Sequence, residues 1–490
     1  MAGPLAGLLA AAIGILVPAA SAAAQQATPT TAASATTVAS ATTVANAGLR
    51  KLTIDEAVTS ALSKDPGVMS ANLDWMSTSA KADVAKWKRI PSLSASAGYT
   101  RLSELPAADT AISADVPPFG SFSLALPSLL NTFSFDLNLS YPIYDGNKVK
   151  EGIAIADLQT QVKDASRETV KRSLAFDVRR AYWEAVRATY NRSTLERNLD
   201  LMKKNVALVA QQFGQGVATR ADQLAAQMRL EQADEDLGDA QSAQRRAFLS
   251  LASLMGEDLS SLGISTAAPG SAPPFELSTE PEDSSLPVAS ASIDEAGLVS
   301  GALARRPETR AAELARRLAE HSIELSRAAL YPTVAVTGNY TLADPNQRVP
   351  FQTDPALFTG TWALGLVVNY DVGGVPAALD DIKAQTLAAS KAKADEDRQR
   401  SAVVMDVESC IVNLERALRD LDSTRAMVAQ AEENLRVMRG RVAAGTAKDI
   451  DLSSSEFDLL RMNFAVTNKR IDAVIAQADL ARAAASEELK

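Results

Sequence analysis

Phe133-Ser134-Phe135-Asp136-Leu137-Asn138-Leu139-Ser140-Tyr141-Pro142-Ile143-Tyr144-Asp145-Gly146 alternates apolar and polar residues from Phe133 to Tyr141. Period two predicts a strand with one apolar face and one polar face. The polar face carries Asp136 and Asn138. A dry core rejects such groups, whereas a water-filled lumen accepts them. A strand of about ten residues reaches across a bilayer when tilted. Three more segments repeat the pattern. Leu93, Ala95, Ala97 and Tyr99 alternate with Ser94, Ser96, Gly98 and Thr100. Val334, Val336 and Tyr340 stand against Thr333, Thr337 and Asn339. Trp362, Leu364, Leu366, Val368 and Tyr370 stand against Ala363, Gly365, Asn369 and Asp371. Polar stretches at 102–131 and 342–360 join each pair and read as loops of the kind barrels expose outside the cell. The edge of a soluble sandwich is the competing reading of the same alternation.

Outward from these strands, the chain is written twice. Leu52-Thr53-Ile54-Asp55-Glu56-Ala57 returns as Ser292-Ile293-Asp294-Glu295-Ala296, and Asp65-Pro66 as Arg306-Pro307. The first strand, led by Pro91 and ending Gly98-Tyr99-Thr100, has a partner led by Pro332 that contains Tyr340-Thr341. The exit Tyr144-Asp145-Gly146 is matched by Tyr370-Asp371-Val372-Gly373-Gly374. Gly216-Val217-Ala218-Thr219-Arg220-Ala221-Asp222 parallels Gly445-Thr446-Ala447-Lys448-Asp449-Ile450-Asp451. Five landmarks in one order are a tandem duplication. Each copy reads as helix, strand, loop, strand and two very long helices. The opening helices are expected over about 53–89 and 293–330, each stopped by the proline before the first strand.

The long helices carry heptad-like spacing. Leu195, Leu199, Met202, Val206, Val209 and Phe213 step by three and four, as do Ile411, Leu414, Leu418 and Leu421. Each outgoing arm spans about 65–70 residues, on the order of 100 Å at 1.5 Å per residue. Such a length suits a spanning structure rather than a compact core. Gly216 and Gly445 are expected to stop one helix and start the next in left-handed conformation.

Residues 1–24 are expected to be a signal peptide. The apolar run Leu5 to Val17 is too short to span a bilayer, and small residues up to Ala24 offer cleavage sites. No Lys or Arg precedes that run. Residues 25–50 form an Ala/Thr/Ser leader. The first repeat is assigned to 51–257, a Pro/Ser-rich linker with little regular structure to 258–290, and the second repeat to 291–490.

Composition narrows the function. The 490 residues are 47% hydrophobic and 22% charged, values of an ordered protein. A net charge of −10 with interspersed bases argues against nucleic-acid binding. One cysteine, Cys410, and one histidine, His321, permit neither an internal disulfide nor a Cys/His metal site. Cys410 reads as a packing residue. There is no phosphate-binding loop, dinucleotide turn or nucleophile elbow, so no catalytic residue, metal or cofactor is expected. Excess acid favours cations in a wet lumen.

The duplicated layout, the Ser140-Tyr141-Pro142-Ile143-Tyr144-Asp145-Gly146 exit and the turn Phe213-Gly214-Gln215-Gly216-Val217-Ala218-Thr219-Arg220-Ala221-Asp222 together resemble the TolC family of outer-membrane efflux proteins, over about residues 50–488. The resemblance implies a mainly α chain with a small β part, a homotrimer with a twelve-stranded β-barrel and a helical coiled-coil tunnel. It implies the outer membrane of a Gram-negative bacterium, with the tunnel in the periplasm. The expected partners are outer-membrane lipid, a periplasmic adaptor (membrane fusion) protein and an inner-membrane RND or ABC transporter. The function implied is the exit duct of a tripartite efflux pump or type I secretion system for drugs, small solutes or polypeptide. Gly216, Val217, Ala218, Gly445, Thr446 and Ala447 are the expected adaptor-contacting tips. Asp222 and Asp451 are expected at the narrow end of the tunnel, with Arg220 and Asp449 helping to hold it closed. Helix capping is the competing role for the two aspartates Asp222 and Asp451. A soluble periplasmic coiled-coil scaffold or adaptor is the competing reading of the whole chain.

Overall fold

The computed structural model describes residues 51–103, 111–115, 117–118, 121–125, 130–257, 276–277, 294–344, 346, 358–447 and 449–485, without the side chains of 111–115, 121–125 and 449–450. The expected signal peptide and leader lie outside the described residues. The first copy runs β1 (Lys51–Leu52), α1 (Ile54–Lys64), α2 (Pro66–Trp87), β2 (Ser92–Arg101), β3 (Ala111–Asp115), β4 (Ser121–Ala125), β5 (Asn131–Tyr144), α3 (Lys148–Gly214) and α4 (Arg220–Leu254). After β6 (Glu276–Leu277) the second copy gives α5 (Glu295–Arg305), α6 (Pro307–Arg327), a 3-10 turn (Ala328–Leu330), β7 (Thr333–Asp344), β8 (Thr359–Asn369), α7 (Val375–Ala443) and α8 (Asp449–Ala484). The outgoing arms α3 and α7 have 67 and 69 residues.

Two expectations are corrected. The helix expected over about 53–89 is two helices, and so is its counterpart. Pro66 and Pro307 each open a new helix, and the residues before them, Asp65 (ψ 126°) and Arg306 (ψ 130°), are extended. The clash between a proline ring and the preceding residue breaks the helix there, and the fixed φ suits a first helical position. Second, the stretch 102–131 is not all loop, because β3 and β4 pair as an antiparallel hairpin within it. Within the stretch expected as a linker, 258–290, one short strand is described. Glu276 and Leu277 pair in parallel with Lys51 and Leu52.

The chain forms one four-stranded antiparallel sheet, ordered β2-β5-β7-β8. Below it the helices lie side by side: α3 touches α2 and α6, and α6 touches α7. Farther along, α3 pairs with α4 and α7 with α8 as two hairpins. Two cores hold the middle of the molecule. In the first, α1, α3, α4 and α8 enclose Leu52, Tyr182, Phe248, Leu251, Met255 and Ile471. The Tyr182 hydroxyl donates to the Leu52 carbonyl at 3.1 Å, so burial leaves no polar atom stranded there. The second core packs Ala302, Val403, Val407, Cys410, Leu414 and Leu480. Cys410 is buried, in keeping with a packing role, and burial pushes its thiol up to about 12. In the first hairpin, Leu199, Ala233 and Leu237 form a seam flanked by Leu195, Met202 and Leu230.

Candidate functional site

The sheet presents two unlike faces. On one, strand pairing sets Leu93 against Leu139, Tyr99 against Phe133, Leu137 against Tyr340, Val336 against Leu366 and Tyr340 against Trp362. Much of this face is open to solvent in the single chain: Leu93 is 70% exposed, Trp362 75% and Leu364 69%. A contiguous apolar face of this size needs an apolar covering.

Aromatics gather at both ends of that face. Tyr99, Phe133 and Phe358 cluster far from the helices, with ring centroids 4.7 Å apart for Tyr99–Phe133 and 6.4 Å for Phe133–Phe358. Tyr141, Tyr144 and Tyr370 lie at the end that leads into the helices. A register shift between Pro142 and Tyr144 sets Tyr144 opposite Val334 and so returns it to the apolar face. From Phe133 to Tyr141 the rise is about 27 Å along the strand, or roughly 20 Å along the normal at a tilt near 40°, close to the apolar band of outer-membrane barrels with its two aromatic girdles. No helix among the described residues is long and apolar enough to cross a membrane.

The opposite face is hydroxyl and amide. Thr341 Oγ1 donates to Asp136 Oδ1 at 2.6 Å and lies 3.0 Å from Asn339 Oδ1. Asn339 Nδ2 in turn donates to Asn138 Oδ1 at 2.8 Å. This column across β5 and β7 keeps polar groups satisfied along the strands. Strict alternation placed these residues on one face from sequence alone. The pairing of β5 with β7, which joins the two repeats, was not readable.

Where β5 hands over to α3, Gly146 (φ +67°) and Asn147 (φ 72°) are both left-handed, and Asp145 Oδ2 accepts from Val149 N at 2.8 Å. At the far end, the expected glycine turns are present. Gly216 has φ +75° and Gly445 φ +72°. Val217 N donates to Gln212 O at 2.9 Å, and Thr446 N to Arg441 O at 2.9 Å, the long closing bond of a Schellman helix end. Val217 is 74% exposed.

Asp222 lies in the first turn of α4. Its carboxylate accepts from Thr219 N at 2.9 Å and from Thr219 Oγ1 at 2.7 Å, completing a capping box. Arg220 donates to Gln223 Oε1 at 2.6 Å. Asp449 opens α8, with its side chain outside the described residues, and Asp451 follows in the same turn. Reading the sequence assigned the Asp222 region to the tip but missed Thr219 as the cap, although Thr three residues before an acid signals one.

His321 Nδ1 is 2.6 Å from Glu151 Oε2, a tie between α6 and α3. No cluster of His, Cys, Asp or Glu suited to a metal occurs among the described residues.

Comparison with known proteins agrees with this architecture. The model of the family described as "Outer membrane efflux protein" matches residues 57–257 and 298–486. No curated protein matches the chain by sequence. Among solved structures, a membrane protein from Pseudomonas aeruginosa is similar at a TM-score of 0.68 and 20% identity, covering 88% of this chain and 93% of that one. The CmeC outer membrane channel of Campylobacter jejuni gives 0.68 and 15%, covering 88% and 85%. The MtrE outer membrane channel of Neisseria gonorrhoeae, in its open state, gives 0.67 and 18%, covering 88% and 89%. At these identities the structures speak for the fold. The family match spans both repeats, and with it the two-faced sheet and the long hairpins acquire one explanation: the chain belongs to the outer membrane efflux protein family, as a passive outer-membrane channel subunit and not an enzyme.

Proposed function

We propose that three copies of this chain close their sheets into a twelve-stranded barrel and their hairpins into a periplasmic tunnel. The observation that carries this is the sheet itself, which has a lipid-suited apolar face and two open edges, β2 and β8. Unpaired backbone groups cost several kcal/mol each in hydrocarbon, so an open sheet cannot sit in lipid, whereas closure with further copies satisfies every edge. The duct serves a tripartite efflux pump. A periplasmic adaptor engages the tips around Gly216, Val217, Ala218, Gly445, Thr446 and Ala447, and an inner-membrane RND or ABC transporter selects the drug or solute. A secreted polypeptide in a type I system would use the same duct, since a passive channel is indifferent to cargo.

Asp222 and Asp451 narrow the periplasmic end and attract cations, with Arg220 and Asp449 aiding closure. The capping bonds of Asp222 are compatible with that role, because they come from the neutral donors Thr219 N and Oγ1 and bring no countercharge. Exposed pairs contribute at most about 1 kcal/mol, so several must act together to hold a gate. The test is conductance of the purified protein in a planar bilayer, with efflux from cells lacking their own channel as the cellular readout. Stable steps that grow with Asp222→Ala or Asp451→Ala are expected. A soluble monomer that never inserts would leave only a periplasmic scaffold.

A further inference from the structure

We infer that Asp136 sets the ion preference of the barrel segment, as a ring of three carboxylates, one per chain, at one level of the lumen. The inference rests on the closure proposed above, which turns the polar face inward.

The register isolates this residue. The face that carries Asp136 comprises the even positions of β2, those of β5 up to Pro142, and the odd positions of β7 and β8. Among the described residues of these strands, every other position on that face is uncharged, chiefly Ser, Thr, Asn, Gly and Ala. The two other charged strand residues, Arg101 and Asp344, fall on the apolar face at the strand ends. No Lys or Arg therefore shares the face to neutralise Asp136.

Its position is held as well as isolated. Thr341 on the neighbouring strand donates to its carboxylate at 2.6 Å, within the range of charge-assisted hydroxyl–carboxylate bonds. The Asn339–Asn138 bond lies beside it. The carboxylate is thus braced against the wall by neutral donors, which orient a charge without cancelling it. Small neighbours leave the space in front of it to water.

Size decides whether such a ring matters. Twelve strands at about 4.8 Å spacing and a tilt near 40° give a wall radius of about 12 Å. The carboxylates then stand roughly 9 Å from the axis, comparable to the Debye length of about 10 Å at 0.1 M salt and well inside the 30 Å at 0.01 M. Three charges at that distance enrich cations over anions by about three-fold or more at 0.1 M, and the effect vanishes at 1 M, where screening acts within about 3 Å.

The experiment measures reversal potential across a KCl gradient at or below 0.1 M, on the full-length protein in planar bilayers. Asp136→Asn keeps the size and an acceptor for Thr341. It is expected to conduct with a cation-to-anion permeability ratio lowered about three-fold, the difference disappearing at 1 M salt. A conducting Asp136→Asn channel with unchanged selectivity at low salt would overturn the assignment of Asp136 and leave the channel intact. Failure of the unsubstituted protein to conduct at all would strike the closure instead. Should Asp136→Asn fail to assemble, Asp136→Cys and Leu137→Cys in a Cys410→Ser background give a second route. A cationic methanethiosulfonate added in water is expected to modify position 136, not 137, and to lower cation preference. A conducting Asp136→Cys channel that does not react, or reacts without a change in selectivity, also overturns the assignment.

Discussion

Gly146 shows how one residue can carry both a conformational and a steric demand. Its φ is +67°, and an added Cβ would lie 2.9 Å from the Ala328 carbonyl oxygen and 3.1 Å from Tyr331 Cβ. Gly216 has a similar φ, +75°, but nothing within 4 Å. Gly216→Ala should therefore cost only the left-handed strain, about 1–2 kcal/mol, while Gly146→Ala costs more. The midpoints of thermal unfolding check this, and equal losses would refute the steric part. The motif around Gly146 was legible in the sequence because its neighbours Asp145 and Tyr144 recur with it; the approach of Ala328 was not, since it comes from the other repeat. The ion pairs of Asp406 were no more legible, since Arg306 and Arg482 stand 100 and 76 residues away in the sequence. Burial works against its charge, yet Arg306 at 2.7 Å and Arg482 at 3.3 Å hold its carboxyl below the usual carboxylate range. With the folded value depressed, its stabilisation is complete above the unfolded pKa of about 3.9 and is lost as pH falls through the lower folded value. Asp406→Asn should destabilise by about 2 kcal/mol near neutrality, the scale of a hydrogen bond to a charged group. That loss should shrink in acid when unfolding is followed against pH.

The elements themselves were mostly readable. Period two found the four strands of the sheet, and glycine turns with heptad spacing found the long hairpins. The helix breaks at Pro66 and Pro307 escaped because each proline interrupts an apolar pattern that continues on both sides, and only local sterics decide the outcome. The two return helices are preceded by different residues in the sequence. Thr219 caps α4 through its hydroxyl, but the equivalent position before α8 holds Lys448, which has no acceptor to offer. Lys448→Thr should slow hydrogen exchange of the first amides of α8 and stabilise that end by about 1 kcal/mol. Thr219→Ala should do the reverse in α4. If exchange at both helix starts were indifferent to these changes, the caps would have no energetic weight.

For the whole molecule, the decisive arrangement is the order β2-β5-β7-β8, which leaves one edge strand from each repeat. Composition and periodicity foretold strands but not their order, because the pair that joins the repeats, β5 with β7, links residues some two hundred apart, such as Asn138 and Asn339. Within one chain β2 and β8 are three strand spacings, about 14 Å, apart, beyond the roughly 7 Å reach of a disulfide between Cα atoms. Cysteines placed pairwise at Ala95 or Ala97 in β2 and Leu364 or Leu366 in β8 should therefore cross-link only between copies. A three-rung ladder on non-reducing gels is expected, and the absence of any linked species for every pair would refute closure through these edges. Since β5 and β7 already join the repeats inside each chain, every contact between copies in the proposed ring sets a first repeat against a second. One faulty edge strand then spoils the ring it enters, however sound the other two subunits are. In a cell making sound and faulty copies equally, only about one assembly in eight would be entirely sound. Substitutions at β2 or β8 should accordingly behave as genetically dominant, whereas losses confined to cargo preference should be diluted by the intact gene.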